Sequence, residues 1–113
     1  MGIFWKTETD RQIEEVQDIA GQINVYLAKI ESSLLANNGV NSSNANIVSN
    51  YMDCINNLIQ KSNFIYGMIP DSKRSRVNVP WMDGRYFHYA MYMMFISTVS
   101  KKVEYAFKLY CGL

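Results

Sequence analysis

Lys73, Arg74 and Arg76 lie among Ser72 and Ser75, so one short stretch holds two guanidinium forks, an ammonium and two hydroxyls. These groups grip phosphate, arginine as a planar fork and lysine as a point charge. Trp81, Tyr86 and Tyr89 follow closely as stacking faces. Arg85 adds a cation, and His88 sits among the aromatics. A helix beginning between Pro80 and Gly84 presents free backbone N–H groups at its start, a seat for an anion. Cations interleaved with aromatic rings suit a nucleotide or a single-stranded nucleic acid. The predicted ligand-binding set is therefore Lys73, Arg74, Arg76, Trp81, Arg85, Tyr86, His88 and Tyr89. The plainer alternative is that the Lys73–Arg76 cluster keeps a surface loop soluble while Trp81 anchors that loop to the core.

Other chemistries are poorly supplied. One histidine and two distant cysteines, Cys54 and Cys111, cannot fill a zinc site. A di-iron bundle needs Glu-x-x-His pairs on facing helices, and the sequence has none. Glu14 and Asp18 share a helix face but read as a solvated one. Cys54 falls in an apolar helix where its thiol stays protonated, so a Cys54–His88 pair is a weak nucleophile candidate. The sequence has no GxSxG elbow, no Walker loop and no GxGxxG. The expectation is a protein that is not an enzyme and uses no metal or cofactor.

Composition sets the class. The 113 residues are 49% hydrophobic and 19% charged, which fits one folded domain rather than a disordered chain. A formal net charge of +1 gives no bulk attraction to nucleic acid or membrane, so duplex DNA is an unlikely ligand on charge alone. The charge is uneven, however. Residues 1–36 carry three basic and six acidic side chains, whereas residues 67–113 carry seven basic and three acidic ones. The two segments attract each other, within one chain or across subunits. No apolar run reaches the roughly 20 residues of a membrane span, and the opening MGIFWK lacks a signal-peptide pattern. The expected setting is cytoplasmic, with both cysteines reduced. Ile3–Phe4–Trp5 is expected to pack against the protein.

Three helices are predicted, over about 10–36, 45–66 and 84–110. In the first, Ile13, Val16, Ala20, Ile23, Leu27, Ile30 and Leu34 alternate steps of three and four, the spacing of a bundle helix. Thr9 with Gln12 forms an expected capping box, and Gly39 an expected left-handed cap. Val48, Tyr51, Ile55, Leu58, Ser62 and Ile65 repeat the spacing in the second helix, which Gly67 should end. Residues 68–83 read as an irregular loop and as the functional candidate, because connections this long are uncommon in compact domains. No strand is predicted. The architecture expected is an all-α, up-down-up bundle of three long helices in a single domain.

Within the third predicted helix, Tyr86 to Ile96 reads YFHYAMYMMFI, apolar in almost every direction. A three-helix bundle leaves each helix one solvent-facing side, so part of this surface calls for a partner chain, and a homo-oligomer is expected. The function expected is a non-enzymatic, oligomeric binding protein that sequesters an anionic, nucleotide-type signalling molecule. The alternative is an inhibitor or adaptor that binds a host protein through its exposed apolar helix face. Short, asparagine-rich helical chains without catalytic motifs form a genre common among phage and mobile-element products, an association at the level of genre only.

Overall fold

The computed structural model describes residues 6–112, so the expectation for Ile3–Phe4–Trp5 lies outside the described residues. The first helix, α1, is Glu8–Ala36. Its heptad positions Ile13, Val16, Ala20, Ile23, Leu27 and Ile30 are all buried, as the spacing requires. The cap lies one step earlier than predicted. Thr7 Oγ1 accepts from Asp10 N at 3.1 Å, and Asp10 Oδ2 accepts from Thr7 N at 3.2 Å. A charged carboxylate at this position also meets the helix dipole, an advantage over the neutral Gln12 of the predicted box. Thr9 and Gln12 are buried inside the helix instead.

At its far end α1 closes with Asn38 N bonding Leu35 O and Gly39 N bonding Leu34 O. This is the paired bond pattern of a Schellman cap. Asn38, at φ 53°, takes the left-handed position that the sequence reading gave to Gly39. Asparagine tolerates that region because its short side chain bonds locally. Residues 40–44 then turn the chain back. Asn44 is buried and holds the turn: its amide donates to Gly39 O at 2.9 Å, and its Oδ1 accepts from Asn41 N at 2.8 Å.

The second helix, α2, is Ala45–Met68 and packs along α1, with Tyr26 and Tyr51 rings 5.6 Å apart. It runs through Gly67, contrary to expectation. The stop is Pro70, which forces Ile69 out of the helical region to ψ 129°.

The predicted irregular loop is structured. Asp71–Arg76 forms a 3₁₀ helix, followed by β1 (Asn78–Pro80) and β2 (Tyr86–His88), an antiparallel pair with Val79 opposite Phe87. Gly84 N bonds Trp81 O, Trp81 N bonds Arg85 O, and Gly84 takes φ 86°. That geometry is a type I turn with a glycine bulge. Ile69, Val77 and Val79 from this stretch are fully buried. The third helix, α3, is Tyr89–Cys111, starting later than predicted because Tyr86–His88 belong to the hairpin. Tyr89, Tyr92, Ile96, Val99 and Val103 of α3 join the common core. The chain is thus predominantly helical, with one small sheet.

Candidate functional site

The structure disperses the predicted basic site. Arg74 turns inward beneath the end of α2, where its Nε donates to Ile69 O and a terminal nitrogen to Gly67 O, both at 3.0 Å. Its guanidinium also lies over the Tyr66 ring and pairs with Asp71. It is a cap for the orphan carbonyls of α2, a position where the helix dipole favours a cation. Arg76 reaches across to Asp10 of α1 at 2.9 Å. Arg85 is held by Asp83 at 2.7 Å and lies over Phe87. Lys73 is exposed. Arg76 precedes β1, whereas Arg85 lies beside Trp81 at the turn, so the two stand toward opposite ends of the hairpin. The four cations therefore do not converge.

Two of the predicted aromatic faces are already used. Trp81 packs edge-on against Tyr92 and tilted against Phe95. Tyr89 stacks on Tyr66 with ring centroids 4.0 Å apart, and its hydroxyl shares hydrogen bonds with Ser62 and Asn63. Tyr86 and His88, on alternate positions of β2, face solvent.

A polar chain that sequence reasoning missed ties the elements together. Gln17 and Asn24, one heptad apart on α1, donate their side-chain amides to Asn78 O at 2.9 Å and Pro80 O at 2.8 Å. They occupy the outer carbonyls of β1, an edge that would otherwise stand unpaired. Asn24 Oδ1 in turn accepts from the Tyr92 hydroxyl at 2.9 Å, and Ala20 O accepts from the same hydroxyl at 3.0 Å. Burial pushes the Tyr92 pKa well above the ordinary phenol value, with Tyr89 adding to the effect. Tyr89 is raised as well, chiefly by burial. The neutral, donating form of Tyr92 is the one the fold uses. A heptad interval between two amide side chains was the signal available in the sequence.

Charge is locally organised elsewhere. The Asp10 carboxyl is held below its usual range first by the Thr7 backbone N–H, then by the Thr7 hydroxyl and Arg76. Asp83 is lowered by the Arg85 backbone N–H and then by its side chain. Among the described residues no cluster of potential ligands could hold a metal ion, and no described helix is long and apolar enough to cross a membrane. Cys54 is half-buried and Cys111 exposed, and neither is paired.

The outward face of α3 is an extended surface that the fold leaves uncovered. The hairpin covers one flank of the apolar run, with Phe87 and Trp81 both against Phe95. Opposite the core, Met91, Met94, Thr98, Lys101, Tyr105 and Leu109 follow one another by three or four residues, a single row on a helix. Met94, Tyr105 and Leu109 are each more than 60% exposed. Tyr105 and Leu109 also line a depression of about 440 Å³ with Leu34, Leu35 and Val40 at the end of α1. A second groove, about 480 Å³, runs between α2 and α3 past Met52, Val103, Phe107 and Cys111. None of the eight predicted site residues lines either one. No protein-family model, curated protein or solved structure matches this chain.

Proposed function

We propose that this chain is a non-enzymatic helical binding protein that works by protein contact through the outward face of α3, assembling as a homo-oligomer. One observation carries the reading: four large apolar side chains, Met91, Met94, Tyr105 and Leu109, stand in solvent along a single helical row. Such a row costs solubility unless a partner covers it. The frame that displays it is an up-down-up bundle. Tyr89 at the start of α3 meets Ser62 late in α2, and Tyr105 and Leu109 lie beside Leu34 and Leu35 late in α1. The reading is tested by light scattering on the wild-type chain and on Met94→Glu/Tyr105→Glu. The expected result is a mass above the 13.1 kDa of one chain that grows with concentration. The double variant should return to one chain with its helical circular dichroism unchanged. A wild-type chain of single mass at about 0.5 mM would overturn self-assembly, since weak specific contacts populate there.

A second reading keeps the anionic, nucleotide-type ligand. Exposed Tyr86 and His88 beside Arg85 offer a ring, an imidazole and a cation on the outer side of the hairpin. Calorimetry with mono-, di- and cyclic nucleotides tests it. Heat abolished by Tyr86→Ala with the fold intact supports it, and no heat across the panel removes it.

A further inference from the structure

We infer that Asn38 is a site of spontaneous covalent modification, deamidation through its bond to Gly39, and that the closing cap of α1 gates the reaction. Of the asparagines in the chain only Asn38 is followed by glycine. The step is intramolecular. The Gly39 backbone nitrogen attacks Cγ of the Asn38 amide and closes a five-membered succinimide. The Cγ–Nδ2 bond breaks, and ammonia leaves with the proton that Gly39 N gives up. Water then opens the ring at either carbonyl, returning a hydrogen to nitrogen and leaving aspartate or its backbone isomer, isoaspartate. A Cβ on the attacking residue crowds that approach, and glycine has none. The other asparagines precede residues with side chains, including Val25, Ile47, Tyr51 and Phe64.

The fold holds this pair back. Asn38 is exposed to water, but Gly39 N donates to Leu34 O at 2.8 Å, so the nucleophile is tied through the hydrogen it must lose. Asn38 is itself fixed in the left-handed region, with its N–H on Leu35 O. Reaction therefore waits on opening of the last turn of α1, and helix ends open at far lower cost than the whole fold. The sequence holds one acidic counterpart, Asp83–Gly84. There both carboxylate oxygens are held by Arg85, at 3.0 and 2.7 Å, and Gly84 N bonds Trp81 O. A carboxylate kept charged is a poor electrophile, so the hairpin turn should be inert beside Asn38.

The product cannot keep the cap. Isoaspartate routes the main chain through its side-chain carbons, so Gly39 N no longer falls where Leu34 O receives it. Either product also sets a carboxylate at the C-terminal end of α1, where the helix dipole disfavours an anion. The effect reaches the turn beyond. Buried Asn44 donates to Gly39 O at 2.9 Å and loses that partner when the glycine shifts. Asn38 and Gly39 line the same depression as Leu34, Tyr105 and Leu109, so the change also reaches the end of α3.

The test ages the full-length chain at mildly alkaline pH, folded and in urea. Peptide mapping by mass spectrometry locates each amide-to-acid exchange and separates aspartate from isoaspartate. In urea, Asn38 should convert well ahead of every other asparagine. Folded, it should convert roughly tenfold or more slowly, by a factor that reports how rarely the cap opens. Asn44→Ser removes the amide that steadies Gly39 and should narrow that gap with helical circular dichroism retained. Asn38→Gly suits the left-handed cap and should end the reaction here. The aged wild-type chain should melt at a lower temperature than the fresh one, whereas Asn38→Gly should keep its melting temperature. Conversion spread evenly over the asparagines in urea would overturn the site. Equal rates at Asn38 folded and unfolded, or an unchanged gap in Asn44→Ser, would overturn the gate. A converted chain that melts like the fresh one would overturn the link to the cap.

Discussion

Arg74 shows how a residue that looks like a ligand grip can be a structural cap. Removing it leaves the carbonyls of Gly67 and Ile69 without their charged donor and strips a cation from the Tyr66 ring. Arg74→Ala should therefore lower stability by about 1.5–3 kcal/mol in urea denaturation, the range for hydrogen bonds to charged groups. Lys73→Ala, one position earlier on the same 3₁₀ helix, should change it by no more than about 0.5 kcal/mol. Equal effects would show that the cap is not what the arginine supplies. A cluster that only kept a surface loop soluble would lose little on removal of Arg74; its inward turn is the reason to expect otherwise. Tyr92 is the second such residue. Tyr92→Phe strands Asn24 Oδ1 beside the core and should cost about 1–3 kcal/mol. Its titration has a definite sign. The folded pKa lies above the unfolded value near 10, so the stabilisation is complete below about pH 10 and is lost as pH rises beyond it. The wild-type melting temperature should fall on raising pH through 10 to 11, and the fall should be shallower in Tyr92→Phe. An equal fall in both would assign it to other groups.

At the scale of elements, Gly21→Ala isolates the intrinsic cost of the α1 glycine. With no neighbour to strike, the new methyl should stabilise the chain by about 0.5–1 kcal/mol, measured by thermal melting at low concentration where assembly does not contribute. A loss of stability would mean that something inside the chain needs the gap. α1 itself was readable in the sequence because its apolar spacing persists over many turns and each of those positions does face the core. Its start was less readable, since Thr7–Asp10 and Thr9–Gln12 both have the form of a capping box and only the charge of Asp10 separates them. The hairpin was not readable for two reasons. Each strand has three residues, too short for alternation to declare itself. The outer edge of β1 is completed by Gln17, 61 residues away in sequence, and by Asn24. Tyr86–His88 carry the same aromatic composition as α3, so the change from strand to helix leaves no mark in hydropathy. The basic cluster was visible as charge, but its fate depended on Asp10 and on the end of α2. Those are tertiary partners that local spacing does not reveal.

The whole molecule is a rod of 62 × 23 × 20 Å with a radius of gyration of 16.6 Å, against about 13 Å for a compact chain of this length. A rod this thin has little interior relative to its helical surface, so α1 and α3 keep long outward rows that a rounder fold would bury. What covers those rows decides how assembly responds to salt. Apolar rows alone would hold as salt rises, because only charge–charge attraction is screened. The α3 row sets Met91, Met94, Tyr105 and Leu109 beside a single charge, Lys101, so its cover should be chiefly apolar. The association constant should then change by no more than about twofold between about 0.05 and 0.5 M sodium chloride, although the screening length shrinks from roughly 14 to 4 Å. Sedimentation velocity across the salt series reads the slope, and a steep fall with salt would show that charge, not the apolar row, holds the assembly.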